Sequence, residues 1–248
     1  MNSCYKGANA VMRLTILGNN GPYPAPGGAC SGYLVESDSG NTRILIDCGT
    51  GVLASLTKML PAERLNAIVL SHLHFDHMSD MLPMRYYFQF HPLARPMNVF
   101  LPGAPADVRA LMEDKQFDLW PMREATIGEM RLRFCRVRHP VPTYAISVEC
   151  DGRRMVYTGD TNTEPALELF ADGADLLLAD AGLSSADYSE NAPHLSAGLC
   201  GQLARDARAK QLVLTHLNPK YAPEALLDEA RAFFPSAELA EIGDVRYL

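Results

Sequence analysis

The chain has 248 residues, 48% hydrophobic and 21% charged, an ordinary composition for a globular protein with a sizeable core. A net charge of −7 argues against a general nucleic-acid binder, because such proteins gain most of their affinity by neutralising phosphates with Lys and Arg. No apolar run approaches the ~20 residues of a membrane span, and the N-terminus lacks the apolar core of a signal peptide, so no membrane association and a cytoplasmic location are expected.

Residues 1–11 (MNSCYKGANAV) precede the first recognisable strand and read as a disordered extension, with Met12 as an alternative start. Residues 13–18 alternate like a strand and break into a turn-rich loop over 19–28. Strands at 30–36 and 43–47 flank a hairpin turn at 37–41, and the second ends in Asp47-Cys48-Gly49-Thr50-Gly51. Helical spacing of Val52, Leu53, Leu56 and Met59 predicts a helix that Pro61 stops. Residues 67–70 form an apolar run, a buried strand, and residues 78–91 read as a core-facing helix rich in Met and aromatics, with His91 at its end as a capping or surface residue. A strand at 98–101, a helix at 106–112 and a strand at 130–138 follow, the last delivering His139. Asp151-Gly152 marks a hairpin between strands at 144–150 and 154–157, and the second strand runs into Thr158-Gly159-Asp160-Thr161. Beyond it come a helix at 164–171, a strand at 175–180, a helix at 195–207, a strand at 212–214 delivering His216, and a final helix at 223–233. With no internal repeat, low-complexity tract or linker, residues 12–248 are expected to form one domain. Strands that dominate early and centrally, with helices following in both halves, suit an α/β sandwich of two mostly antiparallel sheets inside and helices outside.

The densest chemistry sits in Ser71-His72-Leu73-His74-Phe75-Asp76-His77, an H-x-H-x-D-H pattern directly after a predicted core strand. Three imidazoles and a carboxylate within six positions are too many polar groups for the end of a core strand unless something charged holds them together, and a metal ion meets that need. His139, Asp160 and His216 each follow a predicted strand as well, and loops at strand ends converge on one rim of a sheet. The six cysteines, Cys4, Cys30, Cys48, Cys135, Cys150 and Cys200, are scattered without a C-x-x-C pair; they read as reduced small hydrophobes and offer no second metal site.

This set of motifs resembles the metallo-β-lactamase superfamily, over nearly the whole chain from Met12 and including Ala29-Cys30-Ser31-Gly32-Tyr33-Leu34 and Asp47-Cys48-Gly49-Thr50-Gly51. The resemblance implies the four-layer αβ/βα fold and a dinuclear site in which His72, His74 and His139 hold the first metal, Asp76, His77 and His216 the second, and Asp160 bridges them. Imidazole and carboxylate donors suit two Zn²⁺, with Mn²⁺ or Fe as alternatives. His74 stands where flavodiiron relatives carry Glu, and the ligand set lacks the Cys of several true β-lactamases; both departures point to a di-zinc hydrolase. Such a pair shares a hydroxide that attacks the substrate, and Asp76 would orient it. Asp47 resembles a position that supports the ligand histidines through hydrogen bonds, while Asp180 ends its own strand either in such a role or as a simple polar end.

His194, in Pro193-His194-Leu195-Ser196-Ala197, resembles the histidine of the ribonuclease-Z and phosphodiesterase branch that contacts the scissile phosphate and helps the leaving group depart; the plain alternative is a helix cap. Only 20 residues separate His139 from Asp160, so the long tRNA-binding arm of ribonuclease Z is lacking and long RNA is not the expected substrate. The expectation is therefore a phosphodiesterase acting on a small phosphodiester, a cyclic nucleotide or short oligonucleotide, with Asp76 and His194 as catalytic residues. Alternatives are a carbonyl-ester hydrolase such as a lactonase or thioesterase, a ribonuclease-Z-like tRNA 3′ endonuclease, and a non-catalytic metal-binding module. Related enzymes are often dimers, so a homodimer is an expectation by resemblance.

Overall fold

The computed structural model describes residues 12–248; the expectation for residues 1–11 lies outside the described residues. Fourteen strands among them form two seven-stranded sheets. The first sheet is built from β1 (Met12–Gly18), β2 (Gly32–Ser37), β3 (Arg43–Ile46), β4 (Ala67–Val69), β5 (Met97–Phe100) and β6 (Phe117–Trp120), with β14 (Val245–Tyr247) returning to pair with β1. The second contains β7 (Ala125–Ile127), β8 (Met130–Val137), β9 (Thr143–Cys150), β10 (Arg153–Tyr157), β11 (Leu176–Asp180), β12 (Leu212–Thr215) and β13 (Glu238–Leu239). Between the sheets lies a core that includes Leu14, Ile16, Tyr33, Ile44, Ile46, Val69, Ile146, Val148, Met155, Tyr157 and Leu178, all essentially inaccessible. Each such side chain contributes about 1.5–3 kcal/mol by leaving water.

The expectation of mostly antiparallel sheets needs correction. Each sheet is antiparallel over three pairings and parallel over three. The reason lies in the connections: hairpins join β1 to β3 and β7 to β10, whereas helices separate the later strands, and a strand that returns after a helix crossover lies parallel to its predecessor. The crossovers are α1 (Val52–Thr57), α2 (Phe75–Met78) with α3 (Met81–Phe90), α4 (Ala106–Ala110), α5 (Pro165–Ala171), α6 (Ala197–Asp206) and α7 (Pro223–Arg231). They cover the outer faces, α1 and α3 through Val52, Leu56, Met81, Met84 and Phe88, and α6 and α7 through Cys200, Ala204, Leu226 and Ala230.

Three further differences are local. The helix expected at 78–91 is broken, so that α2 takes Asp76 and His77 onto its own turn and α3 begins at Met81. Short strands β6, β7, β13 and β14 occupy stretches with no assigned element, because two to four residues carry too little alternation to register as a period. His91 ends α3, exposed, with its ring stacked on Tyr87 at 4.2 Å between centroids. No helix among the described residues is long and apolar enough to cross a membrane.

Candidate metal centre

Parallel strands end on the same rim, and here the ends of β4, β8, β10 and β12 bring the ligand candidates together. Six of the seven histidines in the chain, all but His91, meet there. One group comprises His72, His74, His139 and Asp160, a second Asp76, His77, Asp160 and His216, with the donor atoms of each group all within 4.8 Å of one another. Every residue expected to ligate a metal is present in one of them.

In the first group three imidazole nitrogens converge. His72 Nε2 and His139 Nε2 each lie 3.1 Å from His74 Nδ1. Donors at the ~2.0–2.1 Å zinc–nitrogen distance of a tetrahedral site are about 3.4 Å apart, so this triangle has the size of a metal's coordination face. Burial lowers the pKa of all three rings, reinforced by the neighbouring imidazoles, which keeps their lone pairs available.

In the second group the observation is of partners that are missing. Asp76 Oδ2, His77 Nε2, Asp160 Oδ1 and His216 Nε2 are buried and have no hydrogen-bond partner, four of the seven such side-chain atoms among the described residues. Unsatisfied buried polar atoms cost about 1–3 kcal/mol each, so four in one place call for a cation. Asp160 faces both groups: Oδ2 lies 3.6 Å from His72 Nε2 and 4.0 Å from His139 Nε2, while Oδ1 lies 3.2 Å from His77 Nε2. Burial opposes the negative charge of Asp160, but His216, His77 and His72 outweigh it and hold the carboxyl well below the usual range. On His77 burial opposes the positive charge, and the carboxylates of Asp160, Asp76 and Asp47 outweigh it and raise its pKa well above the ordinary value. The donor set therefore fits two divalent cations sharing Asp160.

The surrounding residues hold these groups in place. Asp47, fully buried, accepts from His77 Nδ1 at 2.8 Å, from the Ser71 hydroxyl at 2.8 Å and amide at 2.7 Å, and from the Tyr157 hydroxyl at 3.0 Å. Its supporting role thus extends to both sides of the motif, since Ser71 Oγ also lies 3.1 Å from His72 Nδ1. Ser31 Oγ stands 3.2 Å from His216 Nδ1. Asp47 and His216 both adopt left-handed backbone, φ 56° and 54°. Non-glycine residues tolerate that at a cost of about 1–3 kcal/mol, typically at functional sites. Gly21 lies flat against His216, where an added Cβ would come within 1.9 Å of the ring, and Gly49 lies as close to the Asp76 carbonyl. Sequence reading named Asp47 but missed the roles of Ser31, Ser71 and Tyr157; only the hydroxyl next to the first motif histidine was a visible signal.

His194 does not cap α6, because Ser196 does, its hydroxyl accepting from the Leu199 amide. His194 instead stacks on His216 at 5.0 Å between centroids and donates through Nδ1 to Asp180 Oδ2 at 2.9 Å. Burial works against its positive charge, but Asp180 and Asp160 raise its pKa to about 9. Asp180 is in turn held by the amides of Thr161 and Gly182, each at 3.0 Å, which fixes the carboxylate that His194 meets. Tyr144 is half-buried beneath Arg136 and tied through its amide to the Ser71 carbonyl at 3.0 Å. The described cysteines are unpaired and none joins either metal group.

Comparison with known proteins shows the family and the fold. The family model of the beta-lactamase superfamily domain matches residues 42–217. YhfI of Bacillus subtilis (strain 168), named a probable metallo-hydrolase, is 32% identical over 231 residues, covering 90% of this chain and 94% of its own. The crystal structure of the metallo-beta-lactamase fold protein YhfI superposes with a TM-score of 0.90 at 29% identity, over 97% of this chain and 100% of that one. Ribonuclease Z of Archaeoglobus fulgidus is 25% identical over 296 residues, covering 93% of this chain and 96% of its own. Human tRNase Z, short form, shares the fold at a TM-score of 0.77 and 22% identity, over 94% and 98% of the two chains. Between His139 and Asp160 this chain has only the β9–β10 hairpin and no protruding arm.

Proposed function

Because the chain belongs to the beta-lactamase superfamily and is a metallo-hydrolase by its relatives, we propose that it is a dinuclear phosphodiesterase acting on a small phosphodiester, a cyclic nucleotide or short oligonucleotide. The observation that carries this reading is His194 beside the metal groups with Asp180 fixed behind it. His72, His74 and His139 would hold one divalent ion, Asp76, His77 and His216 the other, and Asp160 both. Bound there, such ions activate water and polarise a phosphoryl oxygen. Zn²⁺ suits these donors, as do Mn²⁺ and Fe.

The protein's own part is the handling of protons. Asp76 is placed to accept a hydrogen bond from the attacking water and so orient it. With Nδ1 donating to Asp180, His194 keeps Nε2 free to pass a proton to the departing alkoxide oxygen. A nucleoside alkoxide is a poor leaving group and needs that proton, whereas a thiolate leaves without one; the elaborate support of His194 therefore favours phosphodiesters over thioesters. The ribonuclease Z relatives point the same way, and the missing arm directs the reading to small substrates.

The direct test incubates metal-loaded protein with bis-p-nitrophenyl phosphate and with cyclic nucleotides. Hydrolysis of either is expected, with His194→Ala slowing the cyclic nucleotide by about 10²–10⁴-fold. Turnover of a lactone or thioester with no phosphodiester hydrolysis overturns the reading.

A further inference from the structure

The segment that presents His194, residues 183–194, is tied down along its length, and one buried side chain makes four of the ties. Asn162 is completely inaccessible and lies two residues after Asp160. Its amide nitrogen donates to the carbonyls of Ala192 at 2.7 Å and of Ser189 and Glu190, both at 3.2 Å. Its Oδ1 accepts from the Tyr188 hydroxyl at 2.7 Å and the Thr163 amide at 2.6 Å. The backbone amide of Asn162 donates to the Arg138 carbonyl at 2.9 Å, beside His139, whose Nδ1 donates to the Pro193 carbonyl at 2.9 Å.

Three consecutive residues thus serve three linked purposes. Asp160 offers its carboxylate to both metal groups, Thr161 donates its amide to the Asp180 oxygen that receives His194, and Asn162 grips the segment that carries His194. The outer ties of that segment, Ser185 to Glu229 and Asp187 to Lys220 and Tyr221, are solvent-exposed, where such pairs contribute little. Asn162 is buried, and no other side chain type of its size both donates to several carbonyls and accepts from a hydroxyl.

We propose that Asn162 is a positioning residue for His194: it locks residues 188–192 so that the imidazole meets the leaving oxygen of a substrate held over Asp160. This rests on the phosphodiesterase reading above. A structural role alone would lower all rates together, whereas positioning of a proton donor shows only where the leaving group needs the proton. Misplacement by about 1 Å costs on the order of 10²-fold in such steps.

The experiment compares metal-loaded wild type, Asn162→Ala, Tyr188→Phe and His194→Ala on bis-p-nitrophenyl phosphate, whose p-nitrophenolate leaves unaided, and on a cyclic nucleotide, whose alkoxide does not. For Asn162→Ala, kcat on the cyclic nucleotide should fall about 50- to 100-fold, while kcat on bis-p-nitrophenyl phosphate changes less than about threefold and two ions per chain remain bound. Tyr188→Phe, which removes one hydroxyl from a half-buried position and spares folding, should show the same split at about three- to tenfold. Adding Asn162→Ala to His194→Ala should cost nothing more on the cyclic nucleotide. Equal losses on both substrates, or Tyr188→Phe and Asn162→Ala without a split beside a clear split in His194→Ala, overturn the role of Asn162 alone. A His194→Ala protein without a split overturns the proton-donor role of His194 and this proposal with it, whereas no hydrolysis of either substrate by the wild type overturns the phosphodiesterase reading itself.

Discussion

The two metal pockets use the same residue types and share Asp160, yet they meet the problem of burial in opposite ways. Around His74 the imidazoles of His72 and His139 each lie within hydrogen-bond distance of its ring, and His74 itself is half-buried. Around His77 every side chain is buried and four polar atoms have no partner. The first pocket can keep its shape by exchanging hydrogen bonds and water; the second depends on a cation, since carboxylates gathered without one repel each other in a weakly screened interior. On the proposed two-ion reading, the difference teaches that one ion would belong more to catalysis and substrate access and the other more to the fold.

Asp160→Asn is the most damaging way to break the comparison, since it removes the charge both pockets share. Activity should fall on the order of 10⁴-fold or more, and elemental analysis should find fewer than two ions per chain. Chelation separates the pockets instead. The ion at His72, His74 and His139 should leave first, and departure of the second should lower the melting temperature, since an ion at a thousand times its Kd stabilises by about 4 kcal/mol. Loss of both ions in one step with no change in melting would refute the asymmetry. Asp47→Asn weakens the hydrogen bond behind His77 and should lower affinity for the second ion about 10- to 100-fold in a metal titration, with a smaller loss at the first ion through Ser71 and His72. Gly21→Ala drives a methyl group into His216, so a loss of about tenfold in affinity for the same ion is expected. At the bottom of the scale, His91→Ala removes the one histidine outside the centre and should shift stability by no more than about 0.5 kcal/mol with metal content intact.

Much of the centre was legible in advance because metal chemistry restricts residue types. His72 through His77 announced itself by density, and His139, Asp160 and His216 by their place after apolar strands; all seven ligand candidates lie where those signals put them. The sheets were less legible. Hairpins were readable from Asp151-Gly152 and from 37–41, but the parallel halves follow from crossover helices whose return direction is decided by packing on the sheet. Edge strands such as β6 and β7 are too short to carry a pattern of their own. His194 showed a family likeness and left its role open, with helix capping as the rival until Ser196 proved to be the cap.

By itself the amino-acid sequence determined which side chains could bind metal and that strands would carry them to one rim, because donor chemistry and strand periodicity are properties of short stretches. What holds those donors was decided only by tertiary structure. Ser31 meets His216 across 185 residues of chain, Tyr157 meets Asp47 across 110, and Asn162 grips a segment some thirty residues away. Each of these contacts joins groups with no local relation, and the left-handed backbone at Asp47 and His216 persists because the packed surroundings over-determine it. The division between a self-supporting pocket and one that needs its ion has the same origin, since burial and the absence of partners arise only once two sheets have closed around the ligands.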